Sequence, residues 1–234
     1  MPAPIGRHGG PHFSSLGRAA SFVLLSLAVM CTTLHCVPHV AFDYSAGEGR
    51  FVLHSDRPIS AAEVRELRVA ERRIRACEFD DPGVRHEVFL CHDAARFAFF
   101  AGLRHRSFGV TNALGFSYVR AGTKRSLASL IAHERTHALV AWRYGVLAPL
   151  VIEGWKEEGI CEYVAGEITY DVERGKALLR AGRRGHSSAF RYFTYWLAVR
   201  HLVEVEGLTL SEVIDCERSE DDVLREAVEA LEEE

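Results

Sequence analysis

A long helical pattern in the middle of the chain fixes two histidines on one side of a single element. Residues 124–144 have apolar side chains at helical spacing, and the pattern predicts one helix that ends at Gly145. His133 and His137 are four residues apart within it, so they lie on one face and can direct two imidazole nitrogens at the same metal ion. Glu134 is rotated from His133 by about 100°, which favours a role beside water on that ion rather than as a ligand.

The residues around this His-Glu-x-x-His sequence are apolar on both sides: Leu130, Ile131, Ala132, Ala138, Leu139 and Val140. Polar side chains buried among such neighbours are costly unless a ligand or a partner satisfies them. The alternative is an ordinary helix with a polar face, and the chain has 12 histidines from which such a pattern can arise by chance. The apolar flanks favour the metal site.

Two histidines leave such a site one protein ligand short, because a catalytic zinc ion usually has three. The stretch EGWKEEGICEYV begins at Glu153 and predicts a second helix over about residues 155–164. It contains a Trp-x-x-Glu-Gly-x-x-x-Tyr pattern in which Glu158 follows His137 after twenty residues.

With these two stretches the chain resembles the gluzincin metallopeptidases over about residues 126–164. The resemblance implies that His133, His137 and Glu158 are zinc ligands and that Glu134 is the general base of peptide-bond hydrolysis. It also implies a zincin-like fold and a peptide or protein substrate. The wider order of elements is similar to that of bacterial extracytoplasmic proteins in the same clan.

The second stretch departs from the family pattern where the usual Pro, Leu and Ala are replaced by Glu153, Lys156 and Cys161. The departures leave Glu157 as a rival ligand. Glu158 is preferred because Gly159 beside it would let the two motif helices approach closely.

Two further side chains of this stretch have two interpretations each. Glu162 shares a helical face with Glu158, and it either orients a ligand histidine or is a solvated charge. Cys161 is either a ligand or a core residue, and the core is favoured.

The sequence does not single out the residue that would stabilise an oxyanion or the strand that would align a substrate. Tyr170, His186, Tyr192 and Tyr195 can each donate a hydrogen bond to an oxyanion, but a structural role is favoured for each of them. The stretch NALGFSYV before the motif helix is either an edge strand that aligns a peptide by backbone pairing or a plain core strand.

The N-terminal segment indicates the compartment. Arg7 and Arg18 precede an apolar run over about residues 19–34, which is typical of a secretory signal or a signal anchor. The alternative, a buried helix of the domain, is weaker because the run is apolar on every face. We expect residues 1–42 to be this segment and residues 43–234 to be an extracytoplasmic domain, either secreted or anchored to a membrane.

Strand patterns come early in this domain and helical patterns come late. The stretches GRFVLHSDRPI, RHEVFLC and TNALGFSYVRAG each predict a strand, and a Ser60/Glu63 capping box predicts a helix from about Ala61. From about residue 124 onward the pattern is helical. The chain is therefore expected to be an α+β protein, with a small N-terminal sheet followed by a mainly helical half that carries the metal site.

Composition narrows the classes of function. The net charge is −4 with basic and acidic residues interspersed, so no basic stripe suggests nucleic acid. The 6 cysteines form no CxxC pair, and a Cys77–Cys91 disulfide is less favoured than buried free thiols. Three hypotheses remain: a zinc peptidase, a zinc-site protein that binds an envelope partner without turnover, and a helical module with a chance motif. The first is preferred because Glu134 is intact.

Overall fold

The computed structural model describes residues 30, 32–104, 106–183 and 185–231, which fall into two compact units. The first unit ends at Ala41, and its described part contains a helical stretch at residues 32–36 and a 3-10 turn at Pro38–Ala41. Most of the apolar run that predicts a signal or an anchor lies outside the described residues. Within the described part, no helix is both long enough and apolar enough to cross a membrane. The second unit starts at Phe42 and contains the sheet and the helices that follow.

A five-stranded mixed sheet forms the early part of the second unit. Its strands are β1 (Tyr44–Glu48), β2 (Phe51–Ser55), β3 (His86–Cys91), β4 (Gly109–Thr111) and β5 (Ser117–Arg120). The order across the sheet is β1-β2-β3-β5-β4. Strands β2, β3 and β5 run parallel, whereas β1 and β4 pair antiparallel at the two edges.

Helices connect the parallel strands and then make up the rest of the chain. They are α1 (Ala61–Arg75), α2 (Ala94–Ala101), α3 (Leu127–Tyr144), α4 (Ala148–Val151), α5 (Gly154–Ala165), α6 (Val172–Arg180), α7 (Ser188–Arg200), α8 (Leu210–Asp215) and α9 (Glu220–Ala230). Helix α1 begins where its capping box predicts, with the Ser60 hydroxyl accepting from the N–H of Glu63 and the Glu63 carboxylate accepting from the N–H of Ser60. A small sheet followed by helices confirms the α+β prediction.

The stretch NALGFSYV folds as part of a hairpin rather than as one strand. The side-chain oxygen of Asn112 accepts hydrogen bonds of 3.0 Å from the N–H groups of Leu114 and Phe116. Gly115 completes the turn with a φ of 80°, in the left-handed region that glycine adopts without strain. The single-strand prediction was therefore wrong in its first half. The edge strand is β4, which precedes the stretch, and β5 lies inside the sheet.

Helix α3 lies between the sheet and the other helices, which buries the histidine motif. It packs against β4 and β5 on one side and against α1 and α5 on the other. From Ala128 to Val140 every residue is buried except His137, which is half-buried. The helix begins three residues later than predicted, after the N-cap Ser126, and its C-cap is Gly145 as predicted.

Arg135, which lies within the His-Glu-x-x-His motif, connects α3 to the sheet by hydrogen bonds. Its guanidinium donates hydrogen bonds to Nδ1 of His86 at 3.2 Å and to the carbonyl of Gly115. The buried His86 ring stacks on Phe51 with 4.4 Å between centroids, and its Nε2 lies 3.3 Å from a carboxylate oxygen of Asp80. Burial lowers the pKa of Arg135 to about 10 and that of His86 to about 4. This network holds the motif helix at a fixed position on the sheet.

The two cysteines considered for a disulfide are free thiols. Cys77 and Cys91 are both buried and are not bonded to each other. Burial raises the pKa of Cys77 to about 11 and that of Cys91 to about 12, so both stay protonated at neutral pH. The favoured interpretation, buried core thiols, is confirmed.

Candidate metal centre

Two histidines on one helix face one carboxylate on another. His133 and His137 project from α3, and Glu158 projects from α5. Nε2 of His133 lies 3.4 Å from Oε2 of Glu158, and Nε2 of His137 lies 3.5 Å from the same oxygen. The two imidazole rings are 5.0 Å apart between centroids, with their planes at 75°. The structure thus brings together the three residues that the sequence predicts as ligands.

Each of the two nitrogen–oxygen separations matches that between two ligand atoms on one cation. With bonds of about 2.0–2.1 Å, two ligand atoms of a tetrahedral zinc ion are about 3.3–3.4 Å apart. Oε2 of Glu158 is buried and has no hydrogen-bond partner, although two ring nitrogens face it. Leaving a buried carboxylate oxygen without a partner is costly. The donor set of two imidazoles and one carboxylate is also one that zinc uses.

The second nitrogen of each histidine faces a further carboxylate. Nδ1 of His137 is 2.8 Å from Oε1 of Glu157, and Nδ1 of His133 is 3.2 Å from Oε1 of Glu162. The second contact falls short of hydrogen-bond geometry. Carboxylates at this position orient imidazole rings and increase their basicity as ligands. Glu157 therefore lies on the side of the ring away from Glu158, and Glu162 is a buried group rather than a solvated charge.

Arg125 holds Glu162 in place. Its guanidinium donates two hydrogen bonds to the Glu162 carboxylate, at 2.8 and 2.9 Å, and a third to the hydroxyl of Ser129 at 2.7 Å. Both charged side chains are buried. Sequence analysis missed Arg125, because it lies just before the N-cap of α3 and no periodic pattern points to it.

The site attracts positive charge. Burial acts to lower the pKa of His133, but its contacts with Glu158 and Glu162 raise it above the usual value. Burial likewise acts to lower the pKa of His137, but the neighbouring thiol of Cys161 and two carboxylates raise it well above the usual value. Burial acts to raise the pKa of Glu158, and the two histidines lower it instead. Protons and a metal ion therefore compete for the same ring nitrogens.

Glu134 lies beside the ligands and against the edge strand. Its Oε2 is 3.0 Å from the hydroxyl of Thr111, which is also 2.6 Å from the Glu134 backbone carbonyl. A Cβ atom on Gly109 would overlap Oε1 of Glu134, so only glycine leaves room for this carboxylate. Sequence analysis missed both strand residues. The available signal was the glycine itself, since glycine within a strand often marks a close approach.

Gly159 brings a different helix to the site from the one expected. A Cβ atom here would lie 2.6 Å from the carbonyl oxygen of Tyr195 and 2.6 Å from Cγ2 of Val199, both on α7. The expectation that Gly159 lets the two motif helices approach was therefore wrong, because the close approach is between α5 and α7. It places the Tyr192 ring 6.5 Å from the His133 ring, between centroids.

The other candidate donors for an oxyanion lie elsewhere. Tyr170 packs on Phe190 and Phe193, with centroid distances of 5.3 and 5.7 Å. His186 and Tyr195 line a cavity of about 450 Å³. Burial raises the pKa of Tyr192, and the charge of Glu158 raises it further, so its hydroxyl stays protonated and can donate. The geometry favours Tyr192 among the four.

Cys161 is a further potential ligand. Its sulfur and one ring nitrogen from each of His133 and His137 lie within 4.8 Å of one another, so these three residues can also hold a metal ion. Cys161 is fully buried, and burial raises its pKa to about 12. Glu158 differs from Cys161 in that it carries a charged carboxylate, which faces both ring nitrogens at 3.4 and 3.5 Å.

A second group of potential ligands, in the C-terminal part of the chain, is already paired with a positively charged side chain. His201, Glu206 and Glu226 have ligand atoms within 4.8 Å of one another. The guanidinium of Arg218 donates hydrogen bonds to the carboxylates of both Glu206 and Glu226. This cluster is therefore an ion-pair network.

Neither a protein-family model nor a curated protein sequence matches the chain. The chemistry of the candidate site is therefore inferred from the arrangement of its own side chains.

Proposed function

We propose that this chain is a zinc-dependent peptidase of the gluzincin type with a zincin-like fold. The observation that supports it most is the convergence of two Nε2 atoms on one buried oxygen of Glu158 that has no hydrogen-bond partner. His133, His137 and Glu158 would hold the ion. Bound zinc supplies a Lewis acid for a peptide carbonyl and lowers the pKa of water towards neutrality.

Glu134 acts as the general base. Its carboxylate takes the proton of the attacking water and delivers it to the departing amine. The Thr111 hydroxyl at 3.0 Å holds one carboxylate oxygen, and the missing side chain at Gly109 leaves space for the other. Tyr192 donates its protonated hydroxyl to the oxyanion that develops on the substrate.

The substrate is a peptide or protein segment in extended form. Strand β4 is at the edge of the sheet, and within the described chain no further strand pairs with its outer side. A peptide that adds to this edge runs past Glu134, because Gly109 and Thr111 contact that side chain. The apolar run near the N terminus supports an extracytoplasmic location for this activity, secreted or anchored to a membrane.

Metal content tests the ligand assignment. The purified protein is expected to hold one zinc ion per chain, and Glu158→Gln to lose most of it under the same dialysis. Glu153→Gln is the matched control, because Glu153 is an exposed carboxylate on the N-cap of the same helix. Full zinc retention in Glu158→Gln, or no zinc in the wild type after metal is added, would contradict the proposal.

Activity tests the catalytic assignment separately. Glu134→Gln is expected to keep zinc and to lose peptide hydrolysis, whereas His133→Ala loses both. The assay is cleavage of a peptide library followed by mass spectrometry. Tight zinc binding in His133→Ala would overturn the ligand assignment, and undiminished cleavage by Glu134→Gln would overturn the role of the base.

The position of Cys161 supports one alternative function. A fourth protein ligand would close the coordination sphere, as in structural zinc sites, and would leave a binding module of the cell envelope without turnover. Cobalt substitution separates the two cases, since a thiolate ligand gives a strong near-ultraviolet charge-transfer band that Cys161→Ala removes. Absence of that band supports the peptidase.

A further inference from the structure

The connection between the two metal helices exposes a run of large apolar side chains. Trp142, Val146, Leu147, Leu150 and Val151 are between 57% and 81% exposed. All five lie within ten residues, from the end of α3 through the short helix α4. We call residues 142–151 the apolar tip.

The exposed apolar residues of the tip belong to one short stretch of the chain rather than being scattered along it. Residues 144–152 carry no charged side chain, and Arg143 is the only exposed charge between Trp142 and Glu153. In α4 the side chain of Ala148 is buried, while Leu150 and Val151 point outward. Contiguous exposed apolar side chains of this kind mark interaction sites.

A lipid surface fits the apolar tip better than a second protein does. Tryptophan and arginine beside aliphatic residues are typical of segments that lie at the membrane–water interface. Each partner in a stable protein interface contributes roughly 20–30 residues, which is more than the tip offers. The predicted anchor ends at Leu34 and the second unit starts at Phe42, so the seven residues between them, which make eight Cα–Cα steps, span at most about 28 Å. An anchored domain is therefore always within reach of the bilayer.

We propose that the apolar tip inserts into the interfacial region of the membrane to which the chain is anchored. The Trp142 indole lies at the level of the lipid head groups, and Leu147, Leu150 and Val151 enter the outer part of the acyl chains. Helix α3 runs only five residues from His137 to Trp142, a rise of about 7.5 Å. If the metal centre is the proposed peptidase site, its substrates are segments close to a membrane surface. Only this statement rests on the proposed function.

Quenching by brominated lipid tests the contact. The full chain is inserted into phosphatidylcholine vesicles with and without bromine on the acyl chains, and tryptophan fluorescence is compared with that of Trp142→Phe. The other tryptophans, Trp155 and Trp196, give the background that remains in the variant. The expected result is bromolipid quenching that Trp142→Phe loses. A control protein with Trp142→Phe and Val205→Trp carries the reporter at another exposed position, where no quenching is expected.

Each other outcome overturns the proposal. Equal quenching of wild type and Trp142→Phe, or free access of acrylamide to Trp142 in the vesicles, shows that the tip stays in water. A chain that does not float with the vesicles has no bilayer to contact. Cross-linking between cysteines introduced at Leu147 of two chains, without quenching, assigns the tip to a second copy. Zinc content measured on the same samples shows independently whether the metal centre has failed.

Discussion

Replacing Gly159 by alanine tests the packing that places α7 beside the candidate metal centre. The added Cβ would lie 2.6 Å from the Tyr195 carbonyl oxygen and 2.6 Å from Cγ2 of Val199. Optimal contacts are near 3.5–4.0 Å, so the two helices must move apart by about 1 Å at this point. The carbonyl belongs to the backbone and valine has one preferred rotamer in a helix, so neither neighbour can rotate away.

The magnitude follows from two opposing effects. Overpacking of a well-packed interior costs about 1–3 kcal/mol, and the better helix propensity of alanine returns about 1 kcal/mol. Because neither neighbour can rotate away, the overpacking cost is expected in the upper half of its range, about 2–3 kcal/mol, so the free energy of unfolding should fall by about 1–2 kcal/mol and Tm by about 2–8 °C for a domain of this size. Zinc affinity should also fall, by about tenfold, because Glu158 is the preceding residue and moves with the helix.

The assay is thermal unfolding followed by circular dichroism, together with zinc titration. Gly154→Ala is the matched control, since a Cβ at Gly154 in the same helix meets no atom within 4 Å. That control should change the free energy of unfolding by less than about 0.5 kcal/mol. A Gly159→Ala protein that unfolds at or above the wild-type temperature would refute the steric argument.

Three further predictions concern pH, the base and the buried ion pair. Burial lowers the pKa of His86 from 6.5 to about 4, so the unfolded chain takes up this proton first. The stability that neutral His86 contributes is fully present above pH 6.5, and about 3 kcal/mol of the free energy of unfolding is lost as the pH falls to about 4. Urea unfolding at several pH values should show this dependence on pH, and His86→Gln should flatten it. Gly109→Ala displaces the Glu134 carboxylate and should lower kcat at least about tenfold with zinc content unchanged; full kcat would contradict the contact. Arg125→Met leaves Glu162 buried without its partner and should cost about 3–5 kcal/mol, of which a second substitution, Glu162→Gln, recovers a large part; simple additivity of the two in urea unfolding would argue against coupling.

Local sequence signals predicted the elements that depend on neighbours in the chain. The Ser60/Glu63 box marks the start of α1, and Gly145 marks the end of α3, because caps and stops act within one helical turn. The spacing of His133 and His137 places both imidazoles on one helical face for the same reason.

Features that depend on distant segments could not be read from these signals. The turn at Asn112 was included in a strand, since aromatic and β-branched neighbours outweighed the turn signal. Arg125 meets Glu162 across 37 positions, and Gly159 meets α7 rather than α3, because the fold and not the local pattern decides which helix is adjacent. The same holds for Thr111, whose contact with Glu134 exists only once β4 is in the sheet.

The shortness of β4 limits how the proposed peptide substrate can be held. In an antiparallel ladder alternate residues face the partner strand. Phe108 bonds to Arg120 of β5 and Asn112 bonds to Phe116 just before β5, which leaves the backbone groups of Gly109 and Thr111 facing outward. The Gly109 carbonyl already accepts a hydrogen bond of 2.6 Å from the Ser107 hydroxyl. Backbone pairing on this edge therefore extends over about one dipeptide repeat, roughly 7 Å. For the proposed peptidase, pairing over so short a length would give a substrate its direction and register but little affinity, so selection among peptides would depend on their side chains and on how closely they are brought to the domain.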